Sequence, residues 1–383
     1  LGTPLLVGPV FRPLFDKLKI SREKLAWVLD STSSPVAILI PFIGWGVYIM
    51  GLIQAEFENL GVAESDYTTF VRAIPFQFYA ILAIIMIPLV AFTKLDFSQM
   101  KKAEMRAEKE NRAAGLVQEE IVHEIKNGYS LKHAKPIMVI LPIVFATLFG
   151  TLAPLGFPFA KVDGNAFRVA LTMGYFFGAA VLMALICLFK VMDFNETFKV
   201  YVGGMKGMTD VAITLILAWS LGKMISGLGT AEFIVKFLQD MSFSASLVPA
   251  AVFLFGAFIS FSTGSSWGTF AIMMPLAIPM AHAFGIPFYI AVGAVLSSGL
   301  FGDHCSPISD TTILSSTGAG CGLVEHIKTQ LPYAAVNGTI AFIAYIITGL
   351  TGSEAALGFA VIALIVVMAV LNRISAARLA GKE

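Results

Sequence analysis

Charged side chains are scarce in this sequence. Asp, Glu, Lys and Arg make up 13% of its 383 residues, where a soluble domain carries roughly 25%. With 57% hydrophobic residues beside them, so few charges could not keep a globule of this size in water. The two signs nearly cancel, leaving a net charge of +1. That excludes the basic field that a nucleic-acid partner requires. Cysteine is almost missing. Cys187, Cys305 and Cys321 stand far apart, with no CxxC or Cys/His ligand spacing. This excludes a disulfide framework and a cysteine-bound metal. No HExxH motif occurs, so the metal cluster that a membrane-embedded hydrolase would need is absent from the pattern.

Long uncharged runs are abundant, and the mean hydropathy is +0.81. A spanning helix takes about 20 mostly apolar residues. Runs of that size lie between Asp30 and Glu56, Arg72 and Lys94, Lys135 and Lys161, Arg168 and Lys190, Lys328 and Glu354, and Glu354 and Arg373. Another, from about Gly207 to Ser226, carries Asp210 near its start. The longest, Met241 to Gly302, has no Asp, Glu, Lys or Arg and is long enough for about three passes. The pattern predicts an all-α polytopic membrane protein. It has about ten transmembrane or re-entrant helices, some broken, in one transmembrane domain over residues 1–383.

Basic segments stay on the cytoplasmic side. Arg12, Lys17, Lys19, Arg22 and Lys24 place the N-terminal stretch inside, and Glu56, Glu58, Glu64 and Asp66 place the next loop outside. The stretch from Lys94 to Lys135 holds nine Lys and Arg and reads as a hydrophilic cytoplasmic loop, with KKAEMRAEKENR as a solvated helix. A weak internal echo relates Ser34–Gly51 to Leu331–Thr348, 297 residues on. Inverted repeats of this kind build many secondary transporters, with the substrate site between them.

Two segments carry the chemistry. Phe261–Pro275 packs Ser262, Thr263, Ser265, Ser266 and Thr269 around Gly264 and Gly268. A lipid-facing helix has no use for that cluster, whereas a broken helix offers free backbone groups beside the hydroxyls. Gly302–Gly318 reads GDHCSPISDTTILSSTG and places Asp303, His304 and Asp310 at the end of the longest uncharged run. A carboxylate at mid-membrane costs about 2.5–3.5 kcal/mol on insertion scales and marks a functional site by default. Pro307 breaks the helix, and Ser306, Ser309, Thr311 and Thr312 add the oxygens that a hard cation prefers. Burial disfavours the charged carboxylate and a bound cation favours it, so one such group could trade a proton for Na⁺. Asp303 and Asp310 are the candidate Na⁺ ligands. His304 is a candidate proton shuttle, Asn337 a polar group in an apolar helix, and Asp30 either part of a site or a helix cap before Ser31–Pro35.

These residues resemble the NhaC-type Na⁺/H⁺ antiporter family of inverted-repeat carriers. The resemblance is carried by SREKLAWVLDSTSSPVAILIPFIGWG (Ser21–Gly46), ILAWSLG (Ile216–Gly222), STGSSWGTFAIMMPLAIP (Ser262–Pro279) and GDHCSPISDTTILSSTGAGC (Gly302–Cys321), and spans essentially the whole chain. It implies secondary exchange of Na⁺ for H⁺ across the cell membrane. The alternative is a Na⁺- or H⁺-coupled carrier of a small organic acid or amino acid, of the malate/lactate type. It assigns Asp303, Ser306, Ser309, Asp310 and Thr311 to the ion site, with Thr263, Gly264, Ser265 and Ser266 facing them. No resident cofactor is expected, since Na⁺ and H⁺ are cargo. The lipid bilayer is the surrounding partner, and a small organic anion and a homodimer are left open. Family members carry an acidic FDD-type motif upstream of the segment matching Gly2–Gly8, so the resemblance implies that part of the site precedes residue 1.

Overall fold

The computed structural model describes residues 3–109, 135, 137–147, 164–207 and 227–380, with isolated positions between 209 and 224. The chain divides into two compact units. The larger takes in Leu1–Val62, Thr69–Ala114 and Ala218–Glu383, and the smaller Ala63–Thr68 and Gly115–Leu217. Among the described residues all regular structure is helical. The helices are α1 (Thr3–Lys17), α2 (Arg22–Ala37), α3 (Gly44–Leu60), α4 (Asp66–Ala73), α5 (Phe78–Thr93), α6 (Ser98–Lys109), α7 (Ile137–Thr147) and α8 (Gly164–Leu188). They continue with α9 (Phe194–Gly207), α10 (Thr230–Asp240), α11 (Val248–Thr263), α12 (Ser266–Phe284), α13 (Phe288–Cys305), α14 (Asp310–Ala319), α15 (Leu323–Thr351) and α16 (Ala355–Ala380). The smaller unit packs α7 and α9 against α8.

Four described segments are long and apolar enough to cross a membrane: Ala245–Thr263, Ser266–Phe284, Leu323–Thr351 and Ala355–Ala377. A fifth follows if Asp66–Phe76 and Phe78–Thr93, bent by 48°, form one broken span. The long uncharged run becomes the three helices α11, α12 and α13, of which the first two fall in segments long and apolar enough to span. Asp210 and most of the Lys94–Lys135 loop lie outside the described residues, as do much of the Lys135–Lys161 and Gly207–Ser226 segments.

The run after Asp30 differs from the expected single helix. It breaks between Ala37 and Gly44, where Pro41 offers no N–H to continue a helix, and Gly46 permits a close approach to the Pro41 backbone that a Cβ would block. Leu331–Thr348, its echo in the sequence, lies wholly inside α15. The two echoed stretches therefore have different local structure.

Close approach of α11 and α13 sets the middle of the larger unit. Ser260 Oγ donates to the Gly299 carbonyl at 2.6 Å, and a Cβ on Gly302 would lie 2.5 Å from the Phe261 nitrogen and also overlap Ser260. Small residues at such crossings let helix backbones touch in a membrane, where packing replaces the hydrophobic drive. Gly302→Ala is therefore expected to destabilise the fold by about 1–3 kcal/mol, the usual cost of overpacking. The loss of monodisperse protein on heating in detergent measures it, and an unchanged midpoint would show that α11 shifts freely.

The charged helix α6 is tied down rather than merely solvated. Ser21 caps α2, its Oγ accepting from the Lys24 N–H at 3.2 Å and donating to Glu104 Oε1 at 2.5 Å. Lys24 Nζ lies 2.7 Å from Asp96 and 2.8 Å from Glu104, and Arg106 pairs with Glu23. Tyr333 of α15 donates to Asp96 at 2.8 Å and stacks on Trp27. One knot of side chains thus joins α2, α6 and α15, the helices that position Asp30 and its neighbours.

Candidate functional site

Two helix breaks face each other in the larger unit. The first separates α11 from α12. Gly264 takes the left-handed conformation there (φ +66°), and Ser265 caps α12 by accepting from the Gly268 N–H at 3.3 Å. The second separates α13 from α14 across Ser306–Ser309, where Pro307 cannot continue a helix. Ser309 caps α14, its Oγ accepting from the Thr312 N–H at 3.5 Å. The breaks touch: a Cβ on Gly264 would lie 2.7 Å from Ile308 Cγ1 and 2.9 Å from the Ile308 carbonyl carbon.

Asp303 lies on the last turn of α13 and is 1% exposed. Ser309 Oγ donates to its Oδ1 at 2.6 Å. Ser266 Oγ and Thr311 Oγ1 donate to its Oδ2 at 3.3 and 3.5 Å. Ser309 and Thr311 also meet each other at 3.0 Å. One carboxylate therefore gathers hydroxyls from both breaks, and among the described residues no Lys or Arg pairs with it. A buried carboxylate left without a counter-charge is costly. A monovalent cation or a proton at the carboxylate would remove that cost. Each hydroxyl also keeps lone pairs that can turn toward a cation.

The remaining candidates stand elsewhere. Ser306 is buried in the break, where its Oγ accepts from the Ile308 N–H at 3.4 Å. Thr263 is exposed and donates to the Ile259 carbonyl of its own helix at 2.9 Å. Ser265 and Gly264 shape the first break. Asp310 is exposed at the first position of α14, where an acid suits the positive end of a helix, and makes none of the hydrogen bonds around Asp303. Asn337 is buried further along α15, its Nδ2 3.8 Å from Met86 Sδ. Gly264–Gly268 also spells GSSWG, the letters of the GxSxG nucleophile elbow. That elbow joins a strand to a helix, whereas here the stretch joins two helices, and Ser266 donates to Asp303.

Asp30 is not a helix cap. It lies inside α2 with no exposed surface, in a second polar cluster. Gln330 Nε2 donates to Asp30 Oδ2 at 2.6 Å and to the His304 carbonyl at 2.9 Å. His326 Nε2 lies 3.5 Å from Asp30 Oδ2, and His304 Nε2 3.9 Å from Oδ1. Tyr79 OH meets His304 Nδ1 at 3.1 Å. Thr312 Oγ1 joins the two clusters, reaching Asp30 Oδ2 at 3.5 Å and the Asp303 carbonyl at 3.4 Å. His326 and Gln330 escape sequence reading, although their spacing of four places them on one helix face.

The model of the Na⁺/H⁺ antiporter family matches residues 36–350, both breaks included. The chain belongs to the Na⁺/H⁺ antiporter family. An uncharacterised protein of Haemophilus influenzae is 34% identical over 96% of this chain and 72% of its own length. The malate-2H⁺/Na⁺-lactate antiporter of Bacillus subtilis is 30% identical over 33% of this chain and 26% of its own. The Na⁺/H⁺ antiporter NhaC of Alkalihalophilus pseudofirmus is 34% identical over 24% of this chain and 20% of its own. As a member of this family the chain is a multi-pass membrane protein and a secondary transporter, and its lipid surroundings explain the apolar surface of its helices. Exposed Phe255, Phe258, Ile362 and Val366 would be out of place in water.

Proposed function

We propose that this protein exchanges Na⁺ for H⁺ across the cytoplasmic membrane and binds the cation at Asp303. The observation that carries the reading is a fully buried carboxylate ringed by Ser266, Ser309 and Thr311 at two touching helix breaks. An all-oxygen set with one negative charge suits a hard monovalent cation. Broken helices at a transporter midplane are where such cations are held. The family supports cation-coupled antiport as the class of activity. The test is the purified protein in proteoliposomes carrying a pH-sensitive dye, with Na⁺, Li⁺ and K⁺ added in turn. Proton movement on Na⁺ alone is the expected result. Silence with all three cations would overturn the reading.

A second reading, coupled carriage of a small organic acid, is favoured by the similarity to the malate-2H⁺/Na⁺-lactate antiporter. The Thr263–Gly268 turn would then receive the substrate carboxylate at the start of α12. Repeating the assay with malate and lactate separates the two. A response that appears only with the acid favours the carrier.

A further inference from the structure

The Asp303 cluster has no use for Asp30 and His326, yet this acid and base are packed together with no exposed surface on either. Among the described residues neither has a Lys or Arg partner. Asp30 Oδ1 and both ring nitrogens of His326 make no hydrogen bond. Nature seldom keeps such groups unpartnered in a membrane interior without a use for them. Among the described residues no group of three His, Cys, Asp or Glu has metal-binding geometry.

We propose that the coupled proton is carried by the Asp30–His326 pair, at a site separate from the cation site at Asp303. The inference rests on the Na⁺/H⁺ reading above. The pair is electrically neutral when it holds one proton, whether as carboxylate and imidazolium or as carboxyl and imidazole. Releasing that proton leaves a buried negative charge with no Lys or Arg beside it among the described residues, a state the surrounding helices must rearrange to relieve. The 3.5 Å gap between His326 Nε2 and Asp30 Oδ2 needs only a small movement to become a charge-assisted hydrogen bond.

The route from this pair to the cation site is short. Gln330 holds both Asp30 and the carbonyl of His304, the residue after Asp303. Thr312 touches both Asp30 and the Asp303 carbonyl. A change of charge at Asp30 therefore bears on the break between α13 and α14.

Other titratable groups face the pair. His304, Cys305 and Asp303 come from α13 and Tyr79 from α5, while Asp310 of α14 points outward and adds its charge only from a distance. Arg12 and Arg22 hold carbonyls at the far end of α14, and Glu104 of α6 faces Tyr333, two turns along α15. All of these remain in the variants that test the pair.

The variants are His326→Gln, which keeps a polar side chain of similar reach, and Asp30→Asn, which keeps the shape of the carboxylate. Each is reconstituted and read in two ways. Exchange of isotopically labelled Na⁺ for Na⁺ at equal pH needs the cation site alone, and Na⁺-driven proton movement needs both sites. Both variants are expected to keep Na⁺/Na⁺ exchange and to lose proton movement by about tenfold or more, within the usual range of a coupling between sites. Proton movement at the wild-type rate and pH profile in either variant would overturn the proposal. So would loss of both readouts in a variant that elutes as a single monodisperse species, because the two sites would then be one. If His326→Gln does not fold, the near-isosteric Asp30→Asn decides. A wild-type protein silent in both readouts would sink the exchanger reading and this inference with it, whereas an active wild type with undiminished variants sinks the inference alone.

Discussion

Asp303→Asn is expected to abolish Na⁺-driven proton movement while the protein still inserts and elutes as a single species. Asparagine has the shape of aspartate, and its Oδ1 can still accept from Ser309 Oγ, which now stands at 2.6 Å. Its Nδ2 can donate to the hydroxyls of Ser266 and Thr311, which keep free lone pairs. The packing around α13 is therefore preserved, and removing a buried unpaired charge costs the fold nothing. The proposed cation would lose the one formal charge that the described residues place in its shell, and in a buried site that attraction is far stronger than in water. Exchange of labelled Na⁺ should disappear together with proton movement, in contrast to the variants at Asp30 and His326. Ser309→Ala removes one hydroxyl of the proposed shell and one hydrogen bond to a charged group, worth about 1.5–3 kcal/mol. Its apparent affinity for Na⁺ should weaken by roughly ten- to a hundredfold, by the same range. Full Na⁺/H⁺ exchange in Asp303→Asn would remove this carboxylate from the mechanism.

How far the site could be read from the sequence depended on contrast. Asp303 stands out because no Asp, Glu, Lys or Arg precedes it back to Met241. Ser266 stands out because hydroxyls and glycines cluster in an otherwise apolar stretch. That these two residues meet is a fact of tertiary packing, fixed where Gly264 lies against Ile308 and α11 against α13. Asp310 shares a motif with Asp303 and looked like its twin. Pro307 and the Ser309 cap start a new helix at Asp310, which turns that side chain outward. Asp30 read equally well as a cap, because Asp-Ser-Thr-Ser-Ser-Pro is the composition of a helix start. Only the continuation of α2 through it, and its burial, exclude the cap. His326 and Gln330 were hidden by their neighbours Glu325 and Lys328, which make that stretch look interfacial. The break at Pro41 was masked by apolar residues on both sides, since hydropathy reports burial and not continuity of hydrogen bonding.

Gly264→Ala is expected to cost at least tenfold in transport, and the reason can be divided between strain and contact. At φ +66° an alanine pays about 1–2 kcal/mol for its left-handed backbone. Its Cβ would also press on Ile308 at 2.7 Å and on that residue's carbonyl carbon at 2.9 Å. Backbone cannot swing aside as a flexible side chain can, so the two breaks must separate. Separation pulls Ser266 from Asp303, where the present 3.3 Å leaves little slack, and a lost hydrogen bond to a charged group accounts for about tenfold or more. Gly285 supplies the control. It has nearly the same backbone, φ +67°, at the end of α12, but nothing lies within 4 Å of its would-be Cβ. Gly285→Ala should therefore lower the thermal midpoint slightly and leave transport intact. Asparagine tolerates the left-handed region better than alanine, so Gly264→Asn relieves the strain and keeps the collision. Should Gly264→Asn remain as inactive as Gly264→Ala, the close approach of the two breaks is what holds Ser266 on Asp303. Should it recover transport, backbone strain alone explains the loss, and the cation site tolerates a wider gap between the helices than the present contact allows.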